Sequence, residues 1–418
     1  MRVLHINKSD VTGGAAVAAS RIVNALRTME VDTSMLVAEK KSTNNWVTSV
    51  AESRRGKARL LYNFLYEVAG FIPHEKGRAT RFAFSTSRKG FDLSKHHLVK
   101  ESDIIHLHWF NQGFLSLRGL EKLLLLGKPV VWTLHDMWSF TGGCHYAGSC
   151  VGFQIKCGNC PVIRDASAGD LSFIQHNRKR EVYQNGKLSL VACSSWLASE
   201  AKRATLTENT DITSIPNPID TDFFKPVPRE AARLGLGLPS DKKIILFGAA
   251  NVTDPRKGMV HLLKAMEKLS ERGKSNQIEL VMFGKASDQL VAKLPFRVHL
   301  MNYITDPNVL VSLYSAADVF VLPSLEDNLP NTVMESLACG TPIVAFRIGG
   351  VPEMVTHGIN GFLSAPGDAT GLADSIDTLL FKCDEQMFRS KAREKVLQHF
   401  TPEIVSRKYM ALYESLLR

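Results

Sequence analysis

Short, unbroken apolar runs alternate with amphipathic stretches of helical length along this chain, and the pattern occurs twice. In the first half, Val3–Ile6, Ile104–Leu107, Val130–Leu134 and Leu188–Cys193 read as strands, and Ala15–Met29 and Leu117–Leu126 as helices. In the second half, Lys243–Phe247, Ile278–Phe283, Val319–Leu322 and Pro342–Phe346 read as strands, with helical patterns at Met259–Ser270, Asn308–Ala316 and Asn331–Ala338. Apolar strands without polar alternation belong in sheets covered on both faces. Strands separated by helices of this length pair in parallel through βαβ units. The series breaks at Ile215–Pro228, where Pro216, Pro218, Pro226 and Pro228 cluster, so a crossing between domains is expected there. The expected organisation is one α/β domain over residues 1–215, a second over 216–400, and a closing helix over 401–418 that packs back toward the first.

At 44% hydrophobic and 22% charged residues, the 418-residue chain has enough apolar side chains for two cores and is not a disordered segment. It contains no apolar run long enough to span a bilayer. Met1–Ile6 reads as a strand rather than a secretory signal, so a cytoplasmic protein is expected. The net charge of +10 is one-sided: up to Ile215 there are 28 Lys/Arg against 18 Asp/Glu, and the remainder holds 23 of each. A basic first half suits an anionic partner such as a phosphorylated acceptor or a lipid headgroup. No recognition motif supports nucleic acid.

The most specific stretch is Leu322–Phe346, L-P-S-L-E-D-N-L-P-N-T-V-M-E-S-L-A-C-G-T-P-I-V-A-F. A strand ends, a loop carries Glu326 and Asp327, and a helix starts near Asn331 with Glu335 one turn in. Loops after strands are where ligands bind in open α/β sheets, and a helix start adds N–H groups and a positive dipole end. Carboxylates there accept hydrogen bonds from hydroxyl-rich ligands. Upstream, Asp254-Pro255-Arg256-Lys257-Gly258 sets two adjacent cations before a helix, a pattern able to neutralise a diphosphate. After the first strand, Thr12-Gly13-Gly14-Ala15 is a small-residue loop that lets backbone approach a ligand. It lacks both G-x-G-x-x-G and G-K-[ST], so neither a nicotinamide fingerprint nor a phosphate loop is present. His106 and His108 end one strand, and His135-Asp136 ends another.

Together these strings resemble the retaining, GT-B glycosyltransferases of family 4 (glycosyl transferases group 1), of the bacterial polysaccharide-biosynthesis type. The family's motif is an acid, seven residues, a second acid, then Gly-x-Pro and a strand; Asp327, Glu335 and Gly340-Thr341-Pro342 match it, with Asp where the family has Glu. Pro216-Asn217-Pro218-Ile219-Asp220, Gly349-Gly350-Val351-Pro352-Glu353 and Asn360-Gly361-Phe362 add softer matches. The resemblance implies two Rossmann-like parallel-sheet domains facing across a cleft. The donor, a nucleoside-diphosphate sugar, would lie on the C-terminal domain, and a glycan or lipid-linked acceptor on the N-terminal one. It assigns Arg256 and Lys257 to the diphosphate, and Asp327 with the backbone of Asn328 and Leu329 to sugar and phosphate. Glu335 goes to the ribose, and Gly13, Gly14 and His135 to the far side of the cleft. His135, Asp327, Arg256 and Lys257 are the implied catalytic set, with no catalytic metal. The alternative is a catalytically silent sugar-nucleotide binder acting as an assembly partner.

Two features stand outside that resemblance. Cys144, Cys150, Cys157 and Cys160 fall within 17 residues after His135-Asp136, and Cys157-Gly-Asn-Cys160 has a knuckle-like spacing. Four thiolates suit one structural zinc, and reduced, unligated thiols are the other reading. The basic run Arg54–Arg81 carries apolar residues Leu61, Phe64, Leu65, Val68 and Ile72 at helical spacing. Such a stripe either meets an anionic membrane peripherally or packs into the core of the first domain.

Overall fold

The computed structural model describes residues 1–285 and 288–418. The chain divides into two units, one of Met1–Asn217 with Val405–Arg418 and one of Pro218–Ile404. Each unit holds one parallel sheet.

In the first unit the strands are β1 (Arg2–Ser9), β2 (Asp32–Glu39), β3 (Val47–Ser49), β4 (Ile104–Leu107), β5 (Val130–Leu134), β6 (Leu188–Ala192) and β7 (Asp211–Ser214), in the order β3-β2-β1-β4-β5-β6-β7. Every pairing is parallel. Helix α1 (Gly14–Thr28) leaves β1 and buries Ala16, Ala18, Ala19, Ile22, Val23 and Leu26. Its alanines keep the helix close to the sheet, and its aliphatic residues fill the core beside Val3 and Ile104. The closing helix Pro402–Leu417 belongs to this unit from Val405 onward. The Tyr409 hydroxyl is bonded to Thr133 Oγ1 at 3.0 Å and the Tyr413 hydroxyl to His106 Nδ1 at 2.6 Å. A helix distant in sequence thereby closes one face of the sheet with satisfied polar groups.

In the second unit β8 (Lys243–Asn251), β9 (Ile278–Lys285), β10 (Val298–Leu300), β11 (Val319–Leu322), β12 (Ile343–Phe346) and β13 (Gly361–Ser364) run in the order β10-β9-β8-β11-β12-β13, again all parallel. Both sheets therefore run outward in one direction from their first strand and then restart beside it. The reversals, at β1/β4 and at β8/β11, are the points where open α/β sheets bind ligands. Central strands β4, β5, β11 and β12 are buried along their whole length, which explains their mostly apolar sequences, with His106 and Thr133 as the polar exceptions.

Three expectations need correction. The strand expected over Lys243–Phe247 runs on through Asn251, with a register irregularity between Gly248 and Asn251. Gly248 permits this because a side chain there would collide with the Phe283 ring. Strands β2, β3, β7, β10 and β13 and the helix Leu171–Tyr183 were not anticipated; β7 and β10 are half-exposed edges without an apolar run. In the basic segment a helix does form, α2 (Arg54–Phe71), but its apolar stripe is not packed into the core. Leu61, Leu65 and Ile72 are exposed, and the buried helix residues are Asn63, Glu67 and Phe71. Among the described residues no helix is long and apolar enough to cross a membrane.

Candidate functional site

In the second unit the two charged motifs meet at the β8/β11 reversal. Asp254 Oδ1 accepts the Arg256 N–H at 3.0 Å and so caps the short turn Pro255–Lys257, which ends in Gly258 at φ 70°. A side chain at Gly258 would place its Cβ 1.7 Å from the Pro323 carbonyl oxygen, and the Leu325 N–H donates to the Arg256 carbonyl at 2.8 Å. The basic turn and the loop after β11 are thus joined backbone to backbone. From the other side, Gly349 (φ 47°) lies so close that a Cβ would sit 1.9 Å from the Asp327 carbonyl oxygen, and the Gly350 N–H donates to the Asn328 carbonyl at 2.8 Å. Only glycine fits either position.

This clamp brings the side chains together. Lys257 Nζ donates to Asp327 Oδ2 at 2.6 Å, with the two side chains 29% and 14% exposed. Arg256 reaches back to Asp254, Nη2 to Oδ2 at 2.7 Å, and stays close to half exposed. An exposed pair of that kind is weak and yields readily to a stronger anion. Asn328 and Leu329 are buried. The helix Asn331–Ala338 begins after Pro330 with no side-chain cap and no acid in its first turn. Glu335 is buried, and its Oε2 accepts the Tyr314 hydroxyl at 2.8 Å.

The first unit offers a different chemistry at its β1/β4 reversal. Gly13 precedes α1 at φ 94°, with open space where a side chain would stand, and Gly14 begins the helix. The turn is braced by Asp10, whose carboxylate oxygens each accept a backbone N–H, from Lys41 and Ser42, at 2.9 Å. Beyond β4 and β5, imidazoles form a chain: His5 Nδ1 to His108 Nε2 at 2.9 Å, and His108 Nδ1 to His135 Nε2 at 3.1 Å. His5 Nε2 is buried without a partner. Which nitrogen donates in each of these contacts depends on the ring tautomers. Burial lowers His135 to about 4 and His5 to about 3, and holds His106 and His108 well below the ordinary range. All four are neutral near pH 7. His5, His106 and His108 are the set of three metal-type ligands within 4.8 Å of one another among the described residues, but all of their ring nitrogens except His5 Nε2 already bond within the protein, His5 to His108, His108 to His135, and His106 to Tyr413 and Thr133.

A model of the glycosyltransferase family 4 domain matches residues 12–223, half of the chain, and one of the glycosyl transferases group 1 matches 241–382. The chain belongs to glycosyltransferase family 4. A D-inositol 3-phosphate glycosyltransferase of Catenulispora acidiphila is 31% identical over 292 residues, covering 66% of this chain and 62% of that protein. The chain spans about 62% of the length of the curated relatives it matches first. Two solved structures share the fold over essentially both chains. Sucrose-phosphate synthase of Thermosynechococcus elongatus is 20% identical with a TM-score of 0.67, covering 100% of this chain and 99% of its own. Anabaena HepE in complex with UDP is 16% identical with a TM-score of 0.65, covering 99% and 100%. The GT-B fold follows from two Rossmann-like parallel sheets with this strand order.

Two further features of this family-4 chain lie in the first unit. A cavity of about 810 Å³ opens beyond the ends of β1, β2 and β3. Lys8, Lys40, Lys41 and Lys57 line it against Glu39 and Glu52, and Leu60, Leu61 and Phe64 of α2 form an apolar wall. Lys8 Nζ donates to Gln112 Oε1 at 2.8 Å, and burial lowers its pKa. Sequence reasoning found the basic excess of this half but not the cavity, because its lysines come from three separate segments.

The second feature is the cysteine segment. Cys144, Cys150, Cys157 and Cys160 all line one small cavity of about 20 Å³. The Gly142 N–H donates to Cys157 Sγ at 3.0 Å and the Gly152 N–H to Cys150 Sγ at 3.4 Å. The four are free thiols, and no three of them gather as closely as the histidines. Burial pushes Cys144 up to about 12 and Cys157 up to about 11, so without a metal both stay protonated. Lys179 anchors the segment: its buried Nζ, whose pKa burial lowers to about 7, donates to the Trp138 and Thr141 carbonyls and lies 3.5 Å from the Trp138 ring centre.

Proposed function

We propose that this chain is a retaining glycosyltransferase that moves a sugar from a nucleoside-diphosphate sugar to a glycan or lipid-linked acceptor, at the cytoplasmic face, in cell-surface polysaccharide synthesis. The observation that carries this reading is the Lys257–Asp327 pair, held at 2.6 Å where two glycine-clamped loops meet at the sheet reversal. A diphosphate placed there meets Lys257, the yielding Arg256 and the N-terminal end of helix Asn331–Ala338. Cations preorganised against a leaving anion are electrostatic catalysis. The complexes of HepE with UDP and with UDP-glucose, on the same fold, support a donor of this class.

The reaction forms a bond from an acceptor hydroxyl oxygen to the anomeric carbon and breaks the bond from that carbon to the β-phosphate oxygen. The hydroxyl proton passes to the departing phosphate, and attack from the leaving-group face retains configuration. Asp327 accepts hydrogen bonds from donor-sugar hydroxyls, and the backbone at Asn328 and Leu329 meets sugar and phosphate. Buried Glu335 takes the ribose. In the first unit Gly13 and Gly14 leave room for backbone approach, and neutral His135 offers hydrogen bonds to hydroxyls without adding charge. The lysine-lined cavity suits an acceptor bearing an anionic group.

Four thiols around one small cavity, two of them receiving backbone N–H bonds, would supply the donor set of a structural zinc. We assign zinc that role alone; no step of the transfer uses it.

The second reading, a silent sugar-nucleotide binder, is favoured by one observation: Asp327 is shorter than the family's Glu and its carboxylate is engaged by Lys257. Incubation with a panel of nucleotide sugars, followed by proton NMR of the product's anomeric coupling, decides the matter. Transfer with the donor's configuration supports the proposal. Binding without turnover selects the silent binder, and an inverted product rejects the retaining mechanism.

A further inference from the structure

The strand ends that carry His108-Trp109 and His135-Asp136 are braced against each other. Strands β4 and β5 are parallel neighbours that end at Leu107 and Leu134, so the two dipeptides leave the sheet side by side. Two side-chain bonds join them. His108 Nδ1 lies 3.1 Å from His135 Nε2, and the Trp109 indole N–H donates to Asp136 Oδ2 at 3.0 Å. Trp109 is in turn fixed to β1: its N–H donates to Asn7 Oδ1 at 2.9 Å, and its carbonyl accepts the Lys8 N–H at 2.8 Å. Asp136 Oδ1 accepts the Trp138 N–H at 2.8 Å. His135 therefore belongs to a closed frame of four side chains rather than to a loose loop.

A fifth side chain enters this frame from the cysteine segment. His145 directly follows Cys144, and its main chain is held on both sides: the N–H donates to the Ala83 carbonyl at 3.0 Å, and the carbonyl accepts the Met137 N–H at 2.9 Å. Its ring is buried, with Nδ1 2.7 Å from Asp136 Oδ2 and Nε2 2.9 Å from Ser85 Oγ. An ionised carboxylate only accepts, so Nδ1 carries the proton in the first of these bonds. The ring centre also lies 5.7 Å from that of Trp109. Ser85, His145 and Asp136 at these distances have the form of an acyl-transfer triad. Ser85, however, is only 6% exposed, its N–H donates to the Gly143 carbonyl and its carbonyl accepts the Trp138 indole N–H at 2.8 Å. A hydroxyl enclosed in that way is a brace and not a nucleophile.

We propose that His145 is a positioning residue for sugar transfer: by holding Asp136 and packing beside Trp109, it sets where the His135 imidazole stands. The inference rests on the reading that His135 meets the donor sugar. Without the His145 ring, Asp136 Oδ2 keeps one donor, the Trp109 indole, and a poorly satisfied carboxylate turns toward another donor or water. His135, its chain neighbour, turns with it. The cysteine segment thus reaches the transfer site through one side chain, and none of its thiols has to approach the reacting atoms.

A double-mutant cycle tests this with the full chain, using the nucleotide sugar and acceptor that the parent turns over. His145→Ala should lower kcat on the order of 10-fold, short of the roughly 10²-fold that a misplacement of about 1 Å costs, and leave KM for the donor within about 2-fold. In a His135→Ala background the same substitution should change kcat by less than about 2-fold, because the group it positions is gone. His145→Asn, which keeps an N–H near the place of Nδ1, should recover most of the parent's rate. NMR of the chain labelled at its histidine rings needs no turnover. The His135 signal, identified by its loss in His135→Ala, should move in His145→Ala and return toward the parent's position in His145→Asn. Trp109→Phe, which removes the other donor to Asp136 Oδ2, should move the same signal. Thermal unfolding verifies that each variant is folded. The proposal is overturned if His145→Ala costs the same factor with and without His135, or if the His135 signal stays in place in the folded His145→Ala and Trp109→Phe variants. A parent without turnover would reject the catalytic reading, and the His135 signal would then decide the positioning role by itself.

Discussion

Lys257 and Asp327 are 70 residues apart in sequence and 2.6 Å apart in space, and the contact depends on two glycines rather than on the side chains themselves. Gly258 lets the basic turn press against Pro323, and Gly349 lets the next loop press against Asp327. The pair is the consequence of backbone packing at a sheet reversal.

Gly258→Ala tests that dependence. The new methyl meets a carbonyl oxygen at 1.7 Å, and φ is 70°, a conformation that costs an L-residue about 1–2 kcal/mol before any clash. The expected loss is about 2–4 kcal/mol of stability, read as a shifted denaturant midpoint with unchanged slope. A midpoint equal to the parent's would mean that the two loops are not held by this contact.

Acid should destabilise the protein through its imidazoles. His5, His106, His108 and His135 titrate below their ordinary value when folded, so the unfolded chain binds more protons between about pH 6.5 and 4. Their contribution is fully present above pH 6.5 and is lost progressively as pH falls toward the folded values. Each group adds a slope of about 1.4 kcal/mol per pH unit in that window. Urea unfolding at pH 7 and pH 5 should show a steep fall, and His108→Asn should make it shallower. An equal stability at both pH values would contradict neutral burial of the cluster.

The cysteine segment predicts about one zinc per purified chain and a lowered melting temperature on chelation. Absence of metal by elemental analysis, with all four thiols alkylated in the folded protein, would leave them as reduced core residues.

For the lysine-lined cavity, Lys8→Met keeps the length of the stem and removes the charge. With an anionic acceptor, KM for that acceptor should rise about 10–100-fold while kcat changes little, the pattern of a lost ground-state contact to a charged group. A fall in kcat at constant KM would place Lys8 in the chemistry instead.

The sequence carried the alternation of strands and helices because central parallel strands are buried on both faces and so are mostly apolar. It carried the second-unit site because Arg256-Lys257 and Asp327-x7-Glu335 are local strings with local geometry. The edge strands β7 and β10 were illegible because half-exposed edges need no apolar run. The His5–His108–His135 chain was illegible because it joins residues 103 and 27 positions apart. Helical spacing disclosed α2 but not its orientation. Leu61 and Leu65 predict an apolar face, and only the inward bonds of Asn63 and Glu67 show that this face points out.

The most direct test of the account is the turnover of Lys257→Ala with the nucleotide sugar that the parent uses. Removing the ammonium deletes one charge from the diphosphate contact and leaves Asp327 as an unpaired anion beside it. Initial rates at saturating acceptor should fall on the order of 10²-fold, with weakened donor binding by titration calorimetry and an unchanged melting temperature. Near-parental turnover in the folded variant would contradict the assignment of this pair to the departing diphosphate.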